Sequence, residues 1–177
     1  MDEWTRLALA ARVSRDRSAV EAFVRATRDD VWRLCAHLGD LERADDLTQE
    51  TYVRVLRSLP RFRGDAPVRS WLFSIVRRVV ADDIAARQWR RRHHRDLDAR
   101  TILEPESPDH QGAVTLEQLL AALDPDRRAA FVLTQLLGYS YAEAAQAGGV
   151  PIGTIRSRVA RAREVLVALV DPASVAV

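Results

Sequence analysis

Apolar residues return every three or four positions along most of the chain. Val20, Phe23, Val24, Val31, Leu34, Cys35 and Leu38 form one such stripe, and Gly39 then closes it as a C-cap. A second run uses Leu47, Thr51, Val55, Leu56 and Leu59 and stops at Pro60. A third begins near Ser70 and carries Trp71, Leu72, Ile75, Val76, Val79 and Ile84. Between the last two, PRFRGDAPVRS (residues 60–70) holds two prolines, a glycine and an aspartate, which predict a loop.

The periodicity fades near residue 96. Residues 96–112, DLDARTILEPESPDHQG, contain two prolines, five acids and one arginine, the composition of a linker with a local charge of −4. Helical spacing returns near Ala113 with Val114, Leu116, Leu119, Leu120 and Leu123. LDPDRR then reads as a turn into the next helix, with Asp124 as its cap and Pro125 in its first turn. Ser140 and Glu143 have the spacing of a capping box for a further helix that ends at Gly148 and Gly149. The expected fold is all-α: two small helical domains, residues 1–95 and 113–171, joined by a flexible linker over 96–112.

Composition agrees with that picture. A hydrophobic fraction of 47% suffices for a core, while seven glycines and seven prolines are too few for a turn-rich β architecture. The net charge of +2 says little about partners. All 27 basic residues are arginine, the side chain suited to bidentate pairing with phosphate or guanine, although a GC-rich genome produces the same bias. Cys35 is the single cysteine and reads as a small buried apolar residue. Asp2 and Glu3 do not suit a secretory signal, and no apolar run reaches membrane-spanning length. A cytoplasmic protein with no membrane partner is expected.

GVPIGTIRSRVARAR, residues 149–163, follows the helix expected from Ser140, and the two together have the size of a helix-turn-helix. Ile155, Val159, Ala162 and Leu166 make an inward stripe; Thr154, Ser157, Arg158 and Arg161 face outward, with Arg156 and Arg163 on the flank. Taken alone, such a helix fits either a DNA reader or a solvated face.

The stretch ADDLTQETYVRVLRSLPRFRGDAPVRSWLFSIVRR, residues 44–78, resembles the second conserved region of bacterial RNA polymerase sigma factors of the extracytoplasmic-function group, the fourth group of the sigma-70 family. ALDPDRRAAFVLTQLLGYSYAEAAQAGGVPIGTIRSRVARARE resembles the fourth region of the same group. The two matches stand in the family's order and cover most of the chain. The resemblance implies an initiation factor that binds core RNA polymerase through the clamp coiled coil of the largest subunit and through the flap region, and that recognises promoter DNA. Asp46, Gln49 and Glu50 are then the polymerase contacts; Asp45, Asp46 and Glu50 also read as an ordinary acidic helix start.

By the same resemblance, Phe62, Arg63, Asp65, Arg69 and Arg78 handle the −10 element, where a flipped base meets aromatic, polar and cationic groups. Trp71 shares the apolar stripe with Ile75 and reads as core. Arg78 stands where the family commonly has asparagine. Arg156, Ser157, Arg158 and Arg161 read the −35 element. Ala144, Ala147 and Gly148 are smaller than the family's usual apolar residues, which implies a closer or looser seat for the reading helix.

Two charged stretches keep two readings each. RQWRRRHHR, residues 87–95, carries five arginines and no acid; it suits the C-terminal dipole of a helix or contact with phosphates. The acidic linker is a solvated tether or a segment that enters the polymerase channel, as in the family. Such factors are often restrained by an anti-sigma partner, and a further expectation is that the two domains pack together through their DNA- or polymerase-facing surfaces. A stand-alone helix-turn-helix regulator is the alternative, but the first block offers no dimerisation, ligand or receiver domain. No phosphate loop, nucleophile motif or metal-ligand spacing points to an enzyme, a cofactor or a metal.

Overall fold

The computed structural model describes residues 1–14, 16–97 and 115–170, with the backbone alone for 94–97. Every regular element among them is helical. The N-terminal bundle comprises α1 (Glu3–Ser14), α2 (Arg17–Leu38), α3 (Ala44–Ser58) and α4 (Val68–Leu97). The C-terminal bundle comprises α5 (Leu116–Ala121), α6 (Pro125–Phe131), which runs on through a wider turn over Val132–Leu136, α7 (Tyr141–Gly148) and α8 (Ile152–Val170). The linker expected at 96–112 lies almost wholly outside the described residues.

Most of the residues in the stripes read from the sequence become the core, with Leu56 of the second stripe left 42% exposed. Phe23, Val31, Leu34 and Cys35 of α2, Val55 of α3, and Leu72, Phe73, Val76 and Val79 of α4 are each at most 2% exposed. Burying a side chain of this size contributes about 1.5–3 kcal/mol, so these positions decide whether the bundle folds. Burial also raises the Cys35 thiol above its ordinary value, against a weak hydrogen bond with Thr51, and keeps it un-ionised. Gly39 ends α2 because its backbone is crowded: a Cβ there would lie 2.8 Å from the Cys35 carbonyl oxygen and 2.8 Å from Leu47 Cδ1.

α1 has no counterpart in the sequence reading, which found helical period only from Ser18. Its fully buried apolar residues are Ala8 and Ala11, too small to raise an apolar stripe above the background, and Trp4, Leu7 and Leu9 pack only partly against the core. Asp2 caps it, accepting from the Thr5 amide at 2.9 Å and the Thr5 hydroxyl at 2.6 Å. The Thr5 hydroxyl oxygen in turn accepts from the Val68 amide at 3.0 Å, so α1 caps the start of α4 across 63 residues.

In the C-terminal bundle every short helix starts from a side-chain cap. Thr115 and Gln118 form a capping box at α5, Asp124 accepts from the Arg127 amide at 3.0 Å at α6, and Ser140 and Glu143 form the expected box at α7. Gly149 leaves α7 in the left-handed conformation at φ 63°, which sets the turn into α8. Ile155, Val159 and Ala162 of α8 are buried, as its inward stripe predicts, and Ala144 of α7 is fully buried.

Candidate nucleic-acid interface

The two bundles are in contact. α7 lies against α4, and α6 touches α2. The contact is organised by Arg69, near the start of α4. Its guanidinium is 2.9 Å from Asp30 of α2, and it sits over the Trp4 ring at 4.9 Å and the Tyr139 ring at 4.3 Å. Tyr139, just before α7, is 4% exposed; burial pushes its hydroxyl up to about 12 even though Arg69 favours the phenolate. With 29% of its side chain still exposed, Arg69 gains about 1 kcal/mol from such a ring contact, between the exposed and the desolvated limits.

Two further ties cross the boundary. Arg128 Nε of α6 donates to the His37 carbonyl at 2.6 Å, placing a cation on the last turn of α2. Asp126, also on α6, faces Arg77 of α4 at 3.4 Å and pairs with Arg158 of α8. Arg158 is therefore held by the same carboxylate that reaches the N-terminal bundle.

The expected polymerase contacts lie on an open face. Asp46, Gln49 and Glu50 are exposed along α3, and Glu50 pairs with Arg54 at 2.7 Å. Beside them a groove of about 590 Å³ runs between α2 and α3, lined by Tyr52, Val53 and Leu56 together with Arg28, Asp45 and Gln49. Val53 and Leu56 are 40% and 42% exposed, so the face combines acid, amide and bare aliphatic surface.

The −10 candidates do not form one set. Arg63 and Asp65 are exposed on the loop and pair with each other at 3.0 Å; Arg78 is exposed on the outer side of α4. Arg69 is half-buried, held by Asp30 and Trp4 of its own bundle and by Tyr139 across the boundary. Phe62 departs from its expected role: it is 6% exposed and its ring lies 4.7 Å from that of Trp71, while its carbonyl accepts from Arg12 at 3.1 Å. Its face is already covered, so in this arrangement it cannot stack a base, and the loop offers polar and charged groups instead. Trp71 is partly buried against it, in keeping with the core reading.

Of the −35 candidates, Arg156 and Ser157 are exposed at the start of α8. The Ser157 hydroxyl donates to the Thr154 carbonyl at 3.0 Å, and Arg161 pairs with Glu164 at 2.9 Å on the helix surface. Arg158 is the member withdrawn from solvent, by Asp126. The sequence reading missed Trp4, Asp30, Asp126 and Tyr139, the residues that engage two of the candidate arginines. Asp126, inside LDPDRR, and Tyr139, inside the stretch that resembles the fourth region, stood in segments already singled out.

A four-helix unit followed by a helix-turn-helix unit defines a two-module promoter-recognition class, and the comparisons place the chain within it. Residues 23–90 match the family Sigma-70 region 2, and residues 113–166 match Sigma-70, region 4. The chain is 45% identical over 170 residues to the ECF RNA polymerase sigma factor SigC of Mycobacterium tuberculosis, covering 95% of this chain and 91% of that one. It is 39% identical over 137 residues to the sigma factor EcfG of Rhodopseudomonas palustris, covering 74% and 73%. Among solved structures, it resembles CnrH in complex with the cytosolic domain of CnrY, with a TM-score of 0.72, 26% identity and coverage of 97% and 99%. It also resembles the sigma factor RpoE in complex with the anti-sigma factor NepR from Bartonella quintana, with a TM-score of 0.63, 28% identity and coverage of 85% and 95%.

The chain belongs to the extracytoplasmic-function sigma factors of the sigma-70 family. It is a transcription initiation factor that directs RNA polymerase to promoters, and it is not an enzyme. The region 2 match over the first bundle sets aside the stand-alone regulator. Among the described residues no helix is long and apolar enough to cross a membrane.

Proposed function

We propose that the free chain rests in a closed form, in which region 4 packs on region 2 and holds part of the promoter-reading surface, and that core polymerase selects an open form. The observation that carries this is Arg69, half-buried between Trp4 and Asp30 of region 2 and the Tyr139 ring of region 4. Arg158, paired with Asp126, extends the same logic to the second reading surface. Asp46, Gln49 and Glu50 face outward in the closed form, so the clamp coiled coil can dock on α3 before the bundles part. An acidic face opposite basic partner residues favours fast, oriented association.

In the open form, Arg63, Asp65, Arg69 and Arg78 would serve the −10 element, and Arg156, Ser157, Arg158 and Arg161 the −35 element. The boundaries proposed for the two modules are residues 1–95 and 113–171. The complex of the sigma factor RpoE with the anti-sigma factor NepR from Bartonella quintana suggests an anti-sigma factor as a further partner, which would compete with polymerase for the same surfaces. The test is purified core polymerase with and without this chain, scored for binding and for promoter-specific transcripts. A product above the core-only background that depends on the −35 element, and that falls with Arg158→Ala and Arg161→Ala, supports the assignment; −35-dependent transcription unchanged by both substitutions rejects it.

A further inference from the structure

Where α6 of region 4 meets α4 and the end of α2, the two bundles leave a cavity of about 420 Å³ between them. Small-molecule sites commonly enclose about 300–1,000 Å³. Along α4 the wall follows positions 77, 80, 81, 84, 85 and 88, one face of the helix repeated at three- and four-residue steps over about 16 Å. Ala81 and Ala85 keep that wall low, which leaves the space open. Leu38 borders it from α2, and Leu123, Pro125 and Ala129 border it from region 4.

The charged groups around this apolar wall have one sign. Arg77, Arg128 and the Gln88 amide line the cavity, and among the described residues no carboxylate does. Arg77 reaches Asp126 only at 3.4 Å, and Arg158 holds the same carboxylate more closely. Arg128 is half-buried and makes no ion pair among the described residues; its Nε donates to the His37 carbonyl. Burial pulls its guanidinium below the ordinary value, opposed by the charge of Asp40, which is itself paired with Arg87 at 2.9 Å. A partly desolvated cation with no acid of its own is costly, and an anion in the cavity removes that cost.

We infer that this cavity is a regulatory binding site for a small amphipathic carboxylate. Its aliphatic body lies along Val80, Ile84 and Ala129, and its head meets Arg77 and Arg128. A guanidinium takes a carboxylate through two parallel hydrogen bonds, which fixes the head at the arginine end. A purely apolar ligand would leave the two cations bare, and a fully polar anion would leave the aliphatic wall unused. Because the walls come from both bundles, the ligand binds the closed form and not the open one, and so holds region 4 on region 2 against polymerase. The inference rests on the closed form proposed above.

The test uses the full chain with decanoate as the probe, followed by titration calorimetry. Each methylene should tighten binding about 4-fold, so decanoate should bind about 15-fold more tightly than octanoate. Decanol, which lacks the charge, should bind about 10-fold more weakly than decanoate. Arg77→Gln should weaken decanoate about 5-fold and leave decanol unchanged. Ala85→Trp fills the cavity from an exposed position, leaves both arginines in place and should abolish binding. At about ten times its Kd, decanoate should weaken wild-type binding to core polymerase about 10-fold and that of Ala85→Trp not at all. Affinity independent of chain length, equal binding of decanoate and decanol, or undiminished binding by Ala85→Trp would overturn the inference. An equal effect of decanoate on polymerase binding by both chains would overturn it too. Failure of the closed-form reading is separate, because small-angle scattering of the free chain without probe would then show two separated bundles.

Discussion

The two bundles reach stability by different routes. Region 2 uses long helices, with α2 at 22 residues and α4 at 30, and neither α2 nor α3 starts from a side-chain cap. In region 4, α5, α6 and α7 have 6, 7 and 8 residues, and all three start from a side-chain cap. A helix shorter than about 12–15 residues is marginal in water, because nucleation is costly and few bonds follow it. Where length cannot hold a helix, capping and packing against a neighbour must. Region 2 stands on its core, whereas region 4 stands on its caps and on region 2.

Phe23→Ala tests that contrast where the expected effect is largest. The side chain is fully buried in α2, and its loss should cost region 2 about 3–5 kcal/mol, a large share of the 5–15 kcal/mol that a domain commonly has. Thermal unfolding should show the first transition lowered and core polymerase binding lost at the higher temperatures. A loss below about 1 kcal/mol would mean that the bundle does not depend on this stripe.

Next in size is an effect on recognition rather than stability. Arg156 is exposed at the start of α8 and forms no ion pair among the described residues. Arg156→Ala should relax discrimination at one −35 position by about 1–3 kcal/mol while leaving the melting curve in place. Binding measured across a set of single-base −35 variants checks it; uniform weakening over the whole set would make Arg156 a phosphate contact instead.

The boundary between the bundles gives a smaller effect. Tyr139→Leu keeps apolar volume at a buried site but removes the ring that faces Arg69. The closed form should lose about 1–2 kcal/mol, raising the open fraction roughly 5- to 30-fold. Small-angle scattering of the free chain should then show a larger radius of gyration. An unchanged profile would mean that the remaining ties, Arg128 to the His37 carbonyl and Asp126 to Arg77, hold the boundary without Arg69 and Tyr139.

What could be read from the sequence follows the range of each interaction. The caps were legible because Ser140 and Glu143, or Asp124 and Pro125, carry their signal within three residues. The stripes of α2 and α8 were legible because period alone selects Phe23 and Leu34, or Ile155 and Val159. Arg69 and Tyr139 are 70 residues apart, and Arg128 and His37 are 91, so nothing local announces that they meet. Phe62 was misplaced for the same reason. In RFRGD it reads as an aromatic among cations on a loop, and only Trp71 and α1 folded beside it turn it inward.

The smallest effect sharpens the contrast most directly, because it falls on a cap within region 4, whose glutamate feels Arg69 and Asp2 across the boundary only after its own Ser140 contacts. In the capping box of α7, the Ser140 hydroxyl oxygen accepts from the Glu143 amide at 3.2 Å, and Glu143 accepts from the Ser140 amide at 2.8 Å. Ser140→Ala should cost region 4 about 1 kcal/mol near pH 7, and Ser140→Thr should restore most of it. The Ser140 hydroxyl and amide, in that order, hold the Glu143 carboxyl below its usual 4.5. Its ionised form therefore favours the folded state above that value, and the benefit fades as pH falls through the lowered one. Replacing Ser140 removes the hydroxyl that contributes most to this shift, so wild type and Ser140→Ala should converge in stability as acid is added. Melting of region 4 followed between pH 7 and pH 3 measures the gap. A gap constant over that range would mean that the hydroxyl acts through the helix amide alone, with no help from the glutamate.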